Sequence, residues 1–191
     1  ILCRLAAALA GVKMIIHTIH GWSFNDYQPR VLRWFYINLE RFCAKLTQKI
    51  IVVSERDKDK GLANHIGSEN KYALIRYGIN AQEFFGVDKN IREELGLSAN
   101  DLVIGMVACF KPQKAPLDFI IAASLVTKEV PNAKFILVGD GVLRLNIEKL
   151  MKKLNLESKV ILTGWRRDIP RLLSAMDVFT LTSLWEGLPI V

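Results

Sequence analysis

The chain has 191 residues, 51% of them hydrophobic, and a mean hydropathy of +0.21, which excludes a disordered or acidic-tail protein. At ~150 residues per domain, that length fits one ordinary domain or parts of two. Lys and Arg total 26 against 19 Asp and Glu, a formal charge of +7, and no apolar run reaches the ~18 residues of a bilayer span. Cys3, Cys43 and Cys109 are odd in number and far apart, which argues for a reducing compartment and against a disulfide framework or zinc site.

Leu2, Leu5, Ala6, Leu9 and Ala10 recur at helical spacing, and Gly11 sits where a C-terminal cap belongs. Arg4 before a short apolar run would also suit a secretory signal, but no small-residue cleavage site separates it from the next element. Residues 13–20 (KMIIHTIH) read as a buried parallel strand. A loop at 21–26 leads into a long helical pattern at 28–48. Strand 49–54 follows, with Ser54 as N-cap of a charged helix at 55–66. A short strand at 72–76 ends at the turn 77–80. This alternation implies parallel pairing with right-handed crossovers.

Residues 85–100 carry mixed charge with Gly86 and Gly96, and the domain boundary is placed there, dividing the chain into 1–85 and 86–191. The alternation then restarts with strand 102–108, helix 116–129 and strand 134–138. Helix 143–154, strand 159–163, helix 168–176 and strand 178–182 follow. A further helix start is expected in the last residues. The chain opens on Ile and stops just after that start, so both ends read as cut and both sheets as incomplete.

In open α/β sheets, ligands bind beyond the carboxyl ends of the strands. That rule selects His20 and Gly21; Lys111 and Lys114; Gly139, Asp140 and Gly141; Gly164, Trp165, Arg166 and Arg167; and Ser183, Glu186, Gly187 and Leu188. Lysines, glycines and a helix N-terminus along one edge suit an anionic ligand, because backbone amides and ammonium groups both attract phosphate. Each candidate also has a plain structural reading. His20 could be a strand-end histidine bonded to backbone, the lysines solvated, and Gly139-Asp140-Gly141 a turn. Glu186 could cap a helix and Trp165 could simply pack.

Asp57-Lys58-Asp59 is a DxD, but it lies in a helix where neighbouring side chains diverge, and it is rejected as a metal site. No other cluster has ligand spacing, and no nucleophile elbow or Walker loop is present. The segment with Trp34, Phe35 and Tyr36 also carries Arg30, Arg33, Arg41 and Lys45 and resembles a basic amphipathic helix. Such a stripe usually packs into a core, while its cations could touch an anionic bilayer. The scattered charge does not suit nucleic acid.

Taken together, these motifs are more specific than any one of them. SLWEGLPIV at 183–191 resembles the opening of the Glu-x7-Glu motif of retaining glycosyltransferases of family 4, which have the GT-B fold. VACFKPQK at 107–114 resembles that family's phosphate loop, and FILVGDG at 135–141, Leu162-Thr163-Gly164 and Asp177-Val178-Phe179 also match. His17-Thr18-Ile19-His20-Gly21 resembles its active-site histidine strand. Gly78-Ile79-Asn80 with Phe84 resembles the turn before the domain crossover. The likeness covers nearly the whole chain, in order.

The resemblance implies two Rossmann-like domains holding a nucleotide-diphosphate sugar, and transfer of a hexose with retention to a glycan or lipid-linked acceptor, as in polysaccharide or lipopolysaccharide assembly. His20 would bond the donor sugar near the reacting centre, and Glu186 its hydroxyls. Lys114, helped by Lys111, would bind the diphosphate, and amides around Gly187 and Leu188 would hold phosphate or sugar. Gly139, Gly164, Trp165 and Arg166 would lie beside the nucleoside. No metal or resident cofactor is implied, and the setting would be cytoplasmic with peripheral contact at the inner membrane face. Cys109 stands where many members have Arg, and the second Glu would fall three positions beyond Val191, so the chain as given is expected to be inactive. The competing readings are a GT-B sugar-nucleotide epimerase and a degenerate sugar-nucleotide-binding module at a membrane surface.

Overall fold

β-Branched apolar runs alternate with amphipathic stretches, and the described residues form two sheets whose strands pair in parallel. This computed structural model describes residues 1–86 and 90–191; residues 87–89, part of the boundary stretch, lie outside the described residues. The chain groups into two units, residues 1–79 with Glu186–Ile190, and Asn80–Trp185 with Val191.

The first unit contains α1 (Leu2–Leu9), β1 (Ile16–Ile19), α2 (Arg30–Lys45), β2 (Lys49–Val52), α3 (Glu55–Ala63) and β3 (Tyr72–Leu74). Its sheet runs β1-β2-β3, with Ile16 opposite Lys49 and Ile50 opposite Tyr72. Ser54 caps α3 as expected: the Asp57 amide donates to its hydroxyl oxygen at 3.1 Å. Ile19, Ile50 and Val52 from the strands pack with Ile37 and Ala44 of α2.

Beside this core lies a buried ion pair. Arg4 of α1 and Glu40 of α2 are 2% and 3% exposed and bond to each other across 36 positions of sequence. The Ser23 hydroxyl donates to Glu40 Oε1 at 2.9 Å, while Arg4 Nε and Nη1 have no hydrogen-bond partner among the described residues. His17 lies two positions before Ile19 on β1 and so on the same face. Burial first, then the Arg4 charge, lowers its pKa from 6.5 to about 4.

An unfolded His17 therefore takes a proton more readily than the folded one. Its contribution to stability is complete above about pH 6.5 and is lost as pH falls toward 4. Discounted for the ring's partial solvation, the expected loss is about 1–2 kcal/mol. Denaturant midpoints at pH 7 and pH 4.5 measure it. His17→Gln should flatten the difference, and an equal slope in the variant would contradict the assignment.

The structure departs from expectation at α2. Its buried positions are Ile37, Glu40, Cys43 and Ala44, and Val31, Phe35 and Phe42 fall on the opposite side of a 3.6-residue turn. The aromatic stripe faces outward, with Trp34 beside it.

The second unit contains α4 (Ile91–Glu94), β4 (Leu102–Val107), α5 (Pro116–Glu129), β5 (Ala133–Val138) and α6 (Arg144–Lys153). It continues with β6 (Val160–Gly164), α7 (Ile169–Ser174) and β7 (Val178–Phe179). Strand β5 shows why both faces are covered. Phe135 and Leu137 pack with Phe119 and Ile147, whereas Ile136 and Val138 pack with Leu172 and Ala175.

The sheet order is β6-β5-β4-β7. The chain builds outward from β4 to β6 and then returns to the other side of β4, so its direction reverses between β4 and β7. β7 is shorter than the expected 178–182, pairing at Val178 and Phe179 before Thr180 N donates to Gly105 O at 2.8 Å. No helix forms in the last residues. Pro189 disfavours helical backbone at Leu188, which precedes it.

Candidate functional site

A reversal of strand order opens a crevice beyond the carboxyl ends of the two strands that flank it. In the second unit those are β4 and β7, so the loop 108–115 and the segment from Thr180 onward should meet there. They do, through side chains and backbone. Thr182 Oγ1 lies 3.1 Å from the Lys114 carbonyl oxygen and 2.9 Å from that of Ala115, and donates to both. Leu184 N donates to Gln113 O at 2.8 Å, and Gln113 Nε2 donates to Trp185 O at 2.9 Å.

These bonds lace the expected phosphate loop to the start of the SLWEGLPIV segment. They also set Lys114 just before α5, whose first residue is Pro116 and which has no side-chain cap. Lys111 is exposed and Lys114 half-buried on the same short turn. Cys109, in the same loop, is a free, half-buried thiol. Thr182 and Gln113 carried no sequence signal, since a strand threonine and a loop glutamine look ordinary until the ends of β4 and β7 are brought together.

The next strand ends give a second feature of the same unit. Val107, Ala108, Cys109, Val138, Gly139, Trp165, Arg166 and Ile169 line a hollow of about 250 Å³. Gly139 is required there. Its φ is +126°, and a Cβ would stand 2.0 Å from the Ala108 carbonyl oxygen. Gly139 N also donates to Gly164 O at 2.9 Å, which ties the end of β5 to the end of β6. Trp165, at the rim, is 72% exposed.

The Arg166 side chain is engaged elsewhere. Its guanidinium donates to both Asp168 oxygens, at 2.8 and 2.6 Å, and to Glu94 Oε1 at 3.0 Å. The hydrogen bond from Arg166 holds the Asp168 carboxyl down at about 2 and raises the guanidinium's own pKa. Of Arg166, the backbone is therefore what remains for recognition at the rim. Asp140, within the glycine turn, accepts from Gly141 N at 2.7 Å and from Arg144 at 3.0 Å, so that turn is held by its own side chain.

In the first unit, His20 follows β1 at the carboxyl edge of the sheet. Its exposed imidazole stacks on Tyr77 with ring centroids 5.5 Å apart and planes 2° from parallel. Gly187 packs against the backbone of His20: a Cβ there would come within 2.9 Å of the His20 carbonyl oxygen and 3.3 Å of Asp57 Oδ2. Two residues selected 167 positions apart thus meet in one place. Glu186 and Leu188, the neighbours of Gly187, are half-buried. Asp57 of the DxD bonds the cap Ser54, whose hydroxyl donates to Asp57 Oδ2 at 2.8 Å. No group of three or more His, Cys, Asp or Glu residues is placed to hold a metal ion among the described residues.

Known proteins give this geometry its context. A family model described as glycosyl transferases group 1 matches residues 87–191. A UDP-Gal:alpha-D-GlcNAc-diphosphoundecaprenol alpha-1,3-galactosyltransferase of Escherichia coli is 37% identical over 196 residues, covering 100% of this chain and 51% of its own length. The putative glycosyltransferase EpsD of Bacillus subtilis is 28% identical, covering 98% of this chain and 51% of its own. The chain therefore spans about half the length of these relatives.

Among solved structures, Anabaena HepE in complex with UDP and glucose superposes with a TM-score of 0.83 at 21% identity, over 98% of this chain and 51% of its own. Sucrose-phosphate synthase from Thermosynechococcus elongatus superposes with a TM-score of 0.80 at 20% identity, over 99% of this chain and 50% of its own. At that identity the likeness shows the fold, which is GT-B. Parallel sheets, a loop laced across the strand-order reversal and a family match over more than half the chain agree, and the chain belongs to the group 1 glycosyl transferases.

Proposed function

We propose that this chain is the part of a retaining glycosyltransferase that binds the nucleotide-diphosphate donor, and that it neutralises the departing diphosphate without a metal. The observation that carries the reading is Lys114, held by the Thr182–Trp185 segment at the reversal of strand order and set directly before α5. Breaking a sugar–phosphate bond develops negative charge on the leaving diphosphate. An ammonium carried on a loop whose backbone is held in place, beside the N-terminus of α5, lowers the barrier to that charge separation. Lys111 adds an exposed cation on the same turn. The buried Ser183 hydroxyl, which has no hydrogen-bond partner among the described residues, is a further polar group for the ligand.

The hollow beside Gly139, Gly164, Trp165 and Arg166 suits a nucleoside, with the exposed indole offering a stacking face. His20 and Glu186 are assigned to the transferred sugar, where a partly cationic centre develops, and the amides of Gly187 and Leu188 to its oxygens. The acceptor is a glycan or a lipid-linked sugar, reached by peripheral contact with the cytoplasmic face of a membrane. No resident cofactor takes part. No helix among the described residues is long and apolar enough to cross a membrane.

Lys114→Ala in the full-length protein should weaken donor binding by about tenfold to a hundredfold, the loss of one charge-assisted phosphate contact. Calorimetric titration with sugar nucleotides measures this, and unchanged affinity would remove Lys114 from the site. The product decides the chemistry. Sugar on the acceptor with its donor anomeric configuration, formed in the presence of a chelator, supports the proposal. An altered free donor would instead indicate an epimerase, and donor binding with no product a degenerate module.

A further inference from the structure

The donor site proposed above uses no residue of the outward face of α2, and the chemistry of that face is distinctive. Val31 is 80% exposed, Trp34 66%, and Phe35 and Phe42 52% each. Arg30, Arg41 and Lys45 lie along this helix, Arg33 pairs with Asp26 at 3.3 Å, and the helix's one carboxylate, Glu40, is buried on the inner face by Arg4. The helix is about 24 Å long. It therefore shows a strip of aromatic and aliphatic side chains with Arg30, Arg41 and Lys45 along one border.

At its C-terminal end the strip runs into a groove of about 580 Å³ lined by Asn38, Arg41, Phe42, Lys45, His65 and Lys71, among others. No carboxylate of the described residues lines that groove. Lys71 Nζ donates to the carbonyls of Ala44 and Thr47, and Arg41 Nε donates to that of Asn64, so backbone oxygens rather than counter-charges hold these cations. The imbalance extends to the whole unit. Residues 1–79 hold twelve Lys and Arg against six Asp and Glu, which is six of the chain's seven net positive charges.

We infer that this face docks on an anionic lipid bilayer, with Trp34, Phe35 and Phe42 entering the headgroup–acyl boundary and the flanking Arg and Lys meeting lipid phosphates. Charge complementarity selects that occupant. A protein partner or second copy offering this much apolar contact would also have to match a border of unbalanced cations, which a phosphate-bearing surface does everywhere along it. The register fits as well, because α2 begins just after the loop that leaves His20 at the carboxyl edge of the first sheet. A bilayer lying along the helix would pass beside that edge, where an acceptor anchored in lipid would arrive. The inference deepens the peripheral contact proposed above by naming its surface.

The test is co-sedimentation of the full-length protein with vesicles of phosphatidylcholine alone, or mixed with phosphatidylglycerol, without donor or acceptor. Binding is expected to the anionic vesicles, to fall steeply between low and physiological salt, and to weaken about tenfold or more in the pair Arg30→Glu with Lys45→Glu. Trp34→Ser with Phe35→Ser should weaken it comparably while leaving the melting temperature within about 2 °C, since these side chains are exposed.

Several outcomes overturn the inference: no vesicle binding, equal binding to neutral vesicles, or wild-type binding by both double variants. Loss of a dimer in place of vesicle binding would assign the face to a second copy. A large fall in melting temperature for the Trp34→Ser, Phe35→Ser pair would mean that other parts of the full-length chain cover it. Because no sugar nucleotide is present, failure here is separate from failure of the transferase reading, which the donor titration decides.

Discussion

Glu40→Ala in the full-length protein is expected to lower unfolding free energy by about 3–5 kcal/mol, the usual result of stranding one member of a buried ion pair. The Glu40 carboxylate accepts from the Arg4 guanidinium, which is 2% exposed and already has two nitrogens without hydrogen-bond partners among the described residues. Removing it leaves a full positive charge without compensation between α1, α2 and the first sheet. The Ser23 hydroxyl loses its acceptor in the same step.

The reverse experiment separates charge from packing. Arg4→Met combined with Glu40→Leu removes both charges while keeping apolar volume, and should restore most of the lost stability or exceed the wild type. Urea midpoints of the single and double variants measure both. A single-variant loss below about 1 kcal/mol would place the pair among solvent-screened surface bridges. The pair also conditions its neighbours. The Arg4 charge is the second cause, after burial, of the lowered His17 pKa, and burial raises the pKa of the Tyr72 phenol to about 12. His17 in the Glu40→Ala protein should therefore be held neutral at least as firmly as in the wild type, so long as the fold survives.

His20→Ala is expected to reduce turnover about a hundredfold while changing donor affinity about threefold or less, the pattern of a group that acts mainly in the transition state. The imidazole is exposed at the end of β1 and stacked on Tyr77, so its removal opens no core cavity. Its carbonyl, not its ring, supports the close approach of Gly187, and the substitution keeps that backbone contact. Steady-state kinetics alongside calorimetric donor binding distinguish the cases. A fall in affinity equal to the fall in turnover would make His20 a binding group, and wild-type turnover would remove it from the chemistry. Gly187→Ala is the complementary probe, because its Cβ would press on the His20 carbonyl and displace that edge.

Much of the fold was legible because parallel strands buried on both faces leave a local mark. KIIV at 49–52, LVIGMV at 102–107 and AKFILV at 133–138 are continuous apolar runs, and each became a strand within a residue or two of its expected bounds. Caps were legible for the same reason. The cap Ser54 and the C-terminal Gly11, with φ +71°, satisfy helix ends through atoms only a few positions away. The motif residues after the strands could likewise be selected from sequence, since ligands gather where strands end.

What the sequence by itself determined is thus most of the longer elements, their parallel pairing and the candidate residues at their carboxyl ends, all consequences of short-range pattern. The short α4 and the absence of a final helix were not legible. Tertiary structure alone decided the rest, because it depends on groups far apart in the chain. Only the return of β7 to the far side of β4 brings Thr182 to Lys114 and makes that loop the crevice. Only the packing of α2 through Ile37, Glu40 and Ala44 turns its aromatic stripe outward, where periodicity alone predicted a core. And the partnership of Arg4 with Glu40, 36 positions apart, exists because burying either charge is tolerable only when the fold delivers the other.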